Sequence, residues 1–419
     1  MTSAIVVLLV LAALAGMPLF VVLAAGALAA AASAELDPAV LIIEMVRLAA
    51  SPNLVAIPLF TLAGVTLASG GAPARLVRLL NALLGWLPGG LAVVALFSCA
   101  IFTAFTGASG VTILALGGLL YPMLLSEGYS KRHSLGLLTT SGSLGLLFPP
   151  SLVVLLYGIV AQVSIEDLFL AGLVPGALLL AMLAIYSIAK GHTPGAAQAF
   201  TRAEFLAALR GGVWDLLLPV GVLLGLAGGY TTLTETAAVT AVYTLVLEIV
   251  IHRSVKPLAG LYAIFVESAI LVGTILIILG IAMGLTNLLI DAQLPAKLLR
   301  LVEANVASKL EFLLWLNAFL LIVGAMMDIF SAIVVVVPLI LPLAYRYGVD
   351  PVHLGIIFLA NLEIGYSTPP VGINLFLASQ RFKEPIFALF RATLPFLAIM
   401  LVWLAALTYI PALTLWWRE

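Results

Sequence analysis

Two stretches carry the residues whose types and spacing could do chemistry: Ser141-Gly-Ser-Leu-Gly-Leu-Leu-Phe-Pro-Pro150 and Asn361-Leu-Glu-Ile-Gly-Tyr-Ser-Thr-Pro-Pro370. Each runs through small and polar residues into a proline pair. Prolines remove backbone donors and push the preceding residue out of helical geometry, so a helix unwinds there. Unwound carbonyls deep in a membrane must be satisfied, and a bound cation does this well. Two further stretches match them in character. One holds Thr103, Thr106, Gly107, Ser109 and Gly110; the other holds Gly324 and Asp328. Their glycines let backbone approach an ion, and half-helix N-termini favour an anionic substrate. Asp328 and Glu363 are the carboxylates expected at membrane depth near the breaks, where an ionised group is expensive and usually functional. Glu235, Glu248 and Glu267 lie in other spans and read as packing or interface carboxylates.

The elements around these residues must be membrane helices. The chain has 419 residues, 64% of them hydrophobic and only 9% charged, and its mean hydropathy is +1.26. An ordinary soluble domain is about half apolar and about a quarter charged. The bilayer is therefore the solvent for most of the surface. Long apolar runs such as Leu258 to Ile290 and Pro385 to Ile410 exclude a barrel of short alternating strands. The net charge of −1 gives no basic surface for nucleic acid. The single cysteine, Cys99, can form no internal disulfide and is expected to pack within a helix. The N-terminus offers no basic n-region or small-residue cleavage site, so its apolar stretch is expected to remain.

Breaks rich in charge or turn residues separate apolar units near 2–15, 18–34, 52–70, 90–125, 133–161, 165–189, 214–229, 233–251, 258–290, 309–344, 352–379 and 386–411. The units 90–125 and 309–344 have small or polar centres and read as re-entrant hairpins, each of two half-length helices meeting at a tip. The opening pair splits at Gly16-Met17-Pro18, with a single kinked span as the competing reading. Basic residues in short loops mark the cytoplasmic side. Arg75 and Arg78, Lys131 and Arg132, Lys190 to Arg210, Arg253 and Lys256, and Arg381, Lys383 and Arg391 alternate with breaks carrying Glu35 and Asp37, Glu166 and Asp167, Asp291, and Asp350. The alternation closes only if both long units enter and leave on one side. The first hairpin then opens to the cytoplasm and the second to the outside.

A shift of 220 positions pairs Pro122 with Pro342, Gly128 with Gly348, His133 with His353, Gly145 with Gly365 and Pro149-Pro150 with Pro369-Pro370. Pro73-Ala-Arg-Leu76 is echoed by Pro295-Ala-Lys-Leu298. Inverted repeats with broken helices are the mark of secondary transporters, with the site at the repeat interface. The expected organisation is N-terminal scaffold helices and arm over 1–89, a first transport half over 90–161 and linking scaffold helices over 162–257. A scaffold helix and arm follow over 258–308, then a second transport half over 309–380 and a C-terminal helix over 381–419. A different class of reading is an intramembrane serine protease, because Gly107-Ala-Ser109-Gly110 matches a short nucleophile motif that needs a His base within reach. No HExxH, nucleotide loop or metal-ligand cluster is present, so no cofactor is expected and energy must come from an ion gradient or another subunit.

Ala56-Ile-Pro-Leu-Phe-Thr-Leu-Ala-Gly64, Phe105-Thr-Gly-Ala-Ser-Gly110, Leu147-Phe-Pro-Pro150 with Leu156-Tyr-Gly158, and Tyr366-Ser-Thr-Pro-Pro-Val-Gly-Ile-Asn374 together make the chain resemble the large membrane subunit of the tripartite ATP-independent periplasmic (TRAP) transporters. The resemblance covers essentially the whole chain. It implies an all-α polytopic protein of elevator type in a bacterial inner membrane, working as a sodium symporter for a small carboxylate. Its partners would be a small four-helix membrane subunit and a soluble extracytoplasmic substrate-binding protein. By position Thr106, Ser109, Gly145 and Pro149 correspond to one sodium site, and Gly324, Asp328, Gly365, Thr368 and Pro369 to the other. Thr103, Ser143, Glu363 and Asn374 are candidate substrate contacts. The alternative within the same superfamily is a stand-alone sodium/carboxylate symporter.

Overall fold

The computed structural model describes residues 8–9, 11–12, 17–33, 37, 39–191, 200–256, 258–291, 293, 299–300 and 302–418. Most of the first apolar arm, Glu35, His192 and the Pro295 to Leu298 echo lie outside them. Every regular element among the described residues is helical. The helices are α1 (Leu19–Ser33), α2 (Ala39–Ala49), α3 (Ala56–Ser69), α4 (Ala72–Leu84), α5 (Gly90–Thr106), α6 (Ser109–Ser126), α7 (Lys131–Ser141), α8 (Leu152–Ala161) and α9 (Ile165–Gly191). They continue as α10 (Arg202–Ala227), α11 (Leu233–Val246), α12 (Ala259–Asp291), α13 (Lys309–Met326), α14 (Ile329–Arg346), α15 (Pro351–Gly365), α16 (Ile373–Phe382) and α17 (Ile386–Tyr409).

Eight described helices are long and apolar enough to cross a membrane, or ten if each sharply bent pair counts as one span. The pairs are α3 with α4, bent by 72°, and α7 with α8, bent by 46°. In the second pair a 3-10 turn over Leu144–Leu147 and the proline pair replace regular helix, as prolines without N–H groups require. The arms of the two hairpins run 17 or 18 residues, about 26 Å each at 1.5 Å per residue. Each arm is thus longer than half of a hydrocarbon core of about 30 Å, because Thr103, Thr106 and Ser109 continue the helices and only Gly107 and Ala108 make the first turn.

The repeat is visible in the helix ends. At the same shift of 220, α6 falls on α14 at both ends, and the first residue of α7 falls on the first of α15. Gly128 and Gly348 both end their hairpins with positive φ, +85° and +65°, a conformation glycine adopts without strain. Ser130 caps α7 by accepting from the His133 N–H at 3.2 Å, and Asp350 caps α15 by accepting from Val352 and His353. The second arms are exchanged: α6 lies on α16 and α14 lies on α8. Such reciprocal packing is what an inverted repeat about one pseudo-two-fold axis produces. Outside it α12 packs on α1, α2 and α3, α10 on α4, and α11 on α3.

Ion pairs between breaks respect the side assignment made from charge. Arg418 joins Asp167 at 2.6 Å to Asp350 at 2.8 Å, both from outer breaks. Lys131 meets Glu384 at 2.5 Å and Arg78 meets Glu204 at 2.8 Å, all from cytoplasmic breaks.

Candidate functional site

The first tip is built by Gly107, whose φ of +64° turns the chain from α5 into α6. Three glycines let the tip sit close to its surroundings. A Cβ on Gly107 would come 2.8 Å from the Leu152 Cβ, just beyond Pro149-Pro150. One on Gly64 of α3 would lie 2.5 Å from the Phe105 carbonyl oxygen and 3.0 Å from the Thr106 Cα, and one on Gly145 would lie 2.6 Å from the Thr103 Cβ while striking the α5 backbone at Ala100 and Ala104. Thr103 staples the tip to the broken helix. Its hydroxyl donates to the Gly142 carbonyl at 2.8 Å and shares a hydrogen bond of 2.6 Å with Thr112. Ser109 opens α6 and is buried; its carbonyl oxygen is 3.2 Å from where a Gly142 Cβ would stand.

The second tip turns at Met327 and Asp328. Here Gly365, last residue of α15, faces Gly324 backbone to backbone: a Cβ on Gly365 would lie 2.6 Å from the Gly324 Cα, and one on Gly324 would lie 2.8 Å from the Leu362 Cα. The segment after Pro369-Pro370 then donates two N–H groups, from Val371 at 3.1 Å and Gly372 at 3.2 Å, to the Ala325 carbonyl. Asp328 caps α14, accepting from the Ser331 N–H at 3.0 Å and from the Ser331 hydroxyl. Next to it the Tyr366 hydroxyl accepts from the Ile329 N–H at 2.6 Å. Thr368 donates to the Ile364 carbonyl at 3.0 Å.

The structure thus gathers Thr106, Ser109, Gly145 and Pro149 around one break, and Gly324, Asp328, Gly365, Thr368 and Pro369 around the other. Several buried oxygens near the breaks have no hydrogen-bond partner among the described residues: Thr106 Oγ1 and Ser151 Oγ at the first, Ser367 Oγ and both Glu363 carboxyl oxygens at the second. Buried polar groups are nearly always paired; unpartnered atoms also occur away from the breaks among the described residues, at Thr61, Ser98, Ser187 and Ser268. The four candidate substrate contacts divide. Thr103 is engaged as described, and Ser143 donates to the Thr140 carbonyl at 3.2 Å. Glu363 and the Asn374 amide are fully buried and unpartnered among the described residues.

Three participants escape a reading of sequence patterns: Gly142 and the Tyr366 hydroxyl, whose roles depend on contacts across the break, and Gly64, which lies on a different helix from the tip it receives. Of the other carboxylates, Glu235 closes a capping box with Thr232. Glu248, on a π-helical turn, joins Arg75, Ser254 and the Gly71 N–H, while Arg75 also grips Asp215 at 2.7 and 2.8 Å. Glu267 stands exposed on α12. Cys99 is buried in α5. No group of three or more His, Cys, Asp and Glu side chains gathers for a metal among the described residues. None of the three described histidines bonds Ser109: His353 bonds Thr414 and Thr408, His133 is packed among Tyr129, Tyr186 and Phe396, and His252 follows the π-helical turn of Glu248.

Comparison with known proteins agrees with this geometry. The family described as "Tripartite ATP-independent periplasmic transporter, DctM component" matches residues 4–413. The C4-dicarboxylate TRAP transporter large permease DctM of Pseudomonas aeruginosa is 38% identical over 87% of this chain and 85% of its own. The isethionate TRAP transporter permease DctMQ of Oleidesulfovibrio alaskensis is 37% identical over 86% of this chain and 57% of its own length. The ectoine TRAP large permease TeaC of Halomonas elongata is 32% identical over 88% and 86%. The crystal structure of the Alcanivorax borkumensis YdaH transporter superposes with a TM-score of 0.59 at 16% identity, covering 88% of this chain and 86% of that one, and so shares the fold. The relatives are permeases rather than enzymes, and with the family match spanning nearly the whole chain, the protein belongs to the DctM component family of TRAP transporters.

Proposed function

We propose that the protein carries a small carboxylate inward across a bacterial inner membrane, driven by sodium, as the large permease of a binding-protein-dependent system. The observation that supports this most is the pairing of each proline-broken helix with a glycine-seated hairpin tip, beside buried oxygens without a donor among the described residues. Hard, weakly polarising cations are held by such oxygens, from hydroxyls, carbonyls and a carboxylate. One sodium site comprises Thr106, Ser109, Gly145 and Pro149; the other comprises Gly324, Asp328, Gly365, Thr368 and Pro369. The hairpins and broken helices move as one elevator against the outer helices α1 to α4 and α10 to α12. Glu363 and Asn374 have polar atoms left to meet substrate, whereas the Thr103 hydroxyl holds the first tip and that of Ser143 bonds the nearby Thr140 carbonyl. Relatives named for C4-dicarboxylates, isethionate and ectoine point to small polar anions and zwitterions as the substrate class. A soluble binding protein delivers the substrate and a small membrane subunit completes the permease.

The test is uptake of labelled succinate into proteoliposomes holding the chain, the small membrane subunit and the binding protein. Uptake is expected to follow an inward sodium gradient without ATP. Equal uptake with choline in place of sodium refutes the coupling. Full uptake by the chain alone would instead favour a stand-alone symporter.

A further inference from the structure

The described residues include six exposed acidic side chains, and five of them have partners. Asp37 accepts from the Ala39 N–H, Glu166 accepts from Ser164, Glu204 pairs with Arg78, Glu235 caps α11, and Glu303 pairs with Arg346. The sixth, Glu267, has no hydrogen bond or ion pair among the described residues. It also differs in place. The other five stand at helix ends or beyond them, whereas Glu267 is two turns inside the apolar stretch Ala259–Thr286 of α12, about 12 Å along the axis from its start.

Its neighbours on the same face, three, four or seven positions away, include Ala263, Ile270, Leu271 and Thr274, all exposed. An ionised carboxyl against hydrocarbon is costly and is kept where a partner meets it. Acyl chains supply no cation, and the phosphates of headgroups repel a carboxylate. A protein side chain does supply one, and polar residues joined across close-packed helices hold membrane subunits together.

We infer that the α12 face around Glu267 is the docking surface for a transmembrane helix of the small membrane subunit, which presents a Lys, Arg or other donor side chain to Glu267. This rests on the reading of the chain as one part of a tripartite system. Exposed apolar residues on α11, such as Val239 and Val242, share a face with Glu235, whose carboxylate is already engaged in the capping box with Thr232.

The test uses the full chain co-expressed with its small membrane subunit under separate tags. A photo-crosslinking residue at Thr274 should capture the small subunit, and one at Val242 should not. Glu267→Lys and Glu267→Leu should each lower recovered complex about tenfold. The leucine variant suits a lipid-facing position and should elute and melt alone as the wild type does, so its loss of partner is not a loss of fold. Wild-type recovery from both variants, or capture from Val242 instead of Thr274, overturns the surface and leaves the tripartite reading intact. A wild-type chain that recovers no small subunit overturns that reading and this surface together.

Discussion

The two hairpin tips share a backbone plan and differ in chemistry. Where the second has the Asp328 cap, the first has Ala108, which offers its helix no side-chain cap. Where the first has the Thr103 hydroxyl, the second has Val323, and Glu363 in the second replaces Ser143 in the first. The first tip is held to the broken helix by the Thr103 hydroxyl, donating to the Gly142 carbonyl. The second is held by backbone, through Val371 and Gly372 on Ala325, and by the Tyr366 phenol. One fold therefore supports a neutral tip and a charged tip. Both carboxylates that stand near the breaks, Asp328 and Glu363, belong to the second.

The shared plan breaks most severely at its glycines. Gly145→Ala and Gly365→Ala each drive a methyl into backbone of the facing hairpin, which cannot rotate away as a side chain can. Each should destabilise by about 3 kcal/mol, the upper end for overpacking, and abolish transport. Gly221→Ala in α10 meets nothing within 4 Å and should be neutral or slightly stabilising, as alanine is favoured in helices. Thermal melting of the three purified proteins checks this, and an unperturbed Gly365→Ala would show that the tip and the broken helix are not locked together.

Asp328→Asn tests the difference in charge. Asparagine caps helices nearly as well as aspartate, so melting should change little, while the sodium concentration for half-maximal uptake should rise about tenfold or more for loss of a full ligand charge. Unchanged sodium activation would reduce Asp328 to a cap. The first-site residues Thr106 and Ser109 would then carry the coupling.

The plan of repeat, hairpins and broken helices was legible because proline, glycine and charge each act locally. Pro149-Pro150 and Pro369-Pro370 had to break helices wherever they stood, and alternating Lys/Arg and acidic breaks fixed sides that the Arg418 and Lys131 ion pairs now share. The tip residues Thr106 and Asp328 were found by type and spacing. Gly142 as the acceptor of Thr103 was not, because that bond joins positions 39 apart whose meeting depends on how α5 sits on the unwound turn. Tyr366 was hidden for a related reason. Tyrosine in an apolar run reads as packing, and only the position of the Ile329 N–H gives its hydroxyl a task.

Thr103→Val sharpens the comparison by giving the first tip the residue type of the second. It leaves the buried Gly142 carbonyl and Thr112 hydroxyl each short of a partner. The expected loss is about 1–3 kcal/mol, less than for the glycines because no atoms collide. Sodium dependence should stay close to wild type, since the hydroxyl is engaged with protein. A large shift in sodium activation with normal melting would place Thr103 at the ion instead.

Tyr366→Phe should have the smallest effect and separates two roles of the second tip. Phenylalanine fills the same buried space, so packing is kept, and the loss is one hydrogen bond to the Ile329 N–H at the first turn of α14. Such a donor has no partner within its own helix, so removing the phenol leaves it buried and unsatisfied, at about 1 kcal/mol. The first repeat has Leu146 at the equivalent position and manages without a phenol, which argues that the bond tunes the tip rather than builds it. Amide exchange at Ile329 should quicken several-fold while uptake at saturating sodium stays near wild type. If sodium affinity falls as far as in Asp328→Asn, the phenol orients the Asp328 carboxylate for the ion, and the charged tip must be regarded as one coupled unit of Asp328, Ser331 and Tyr366.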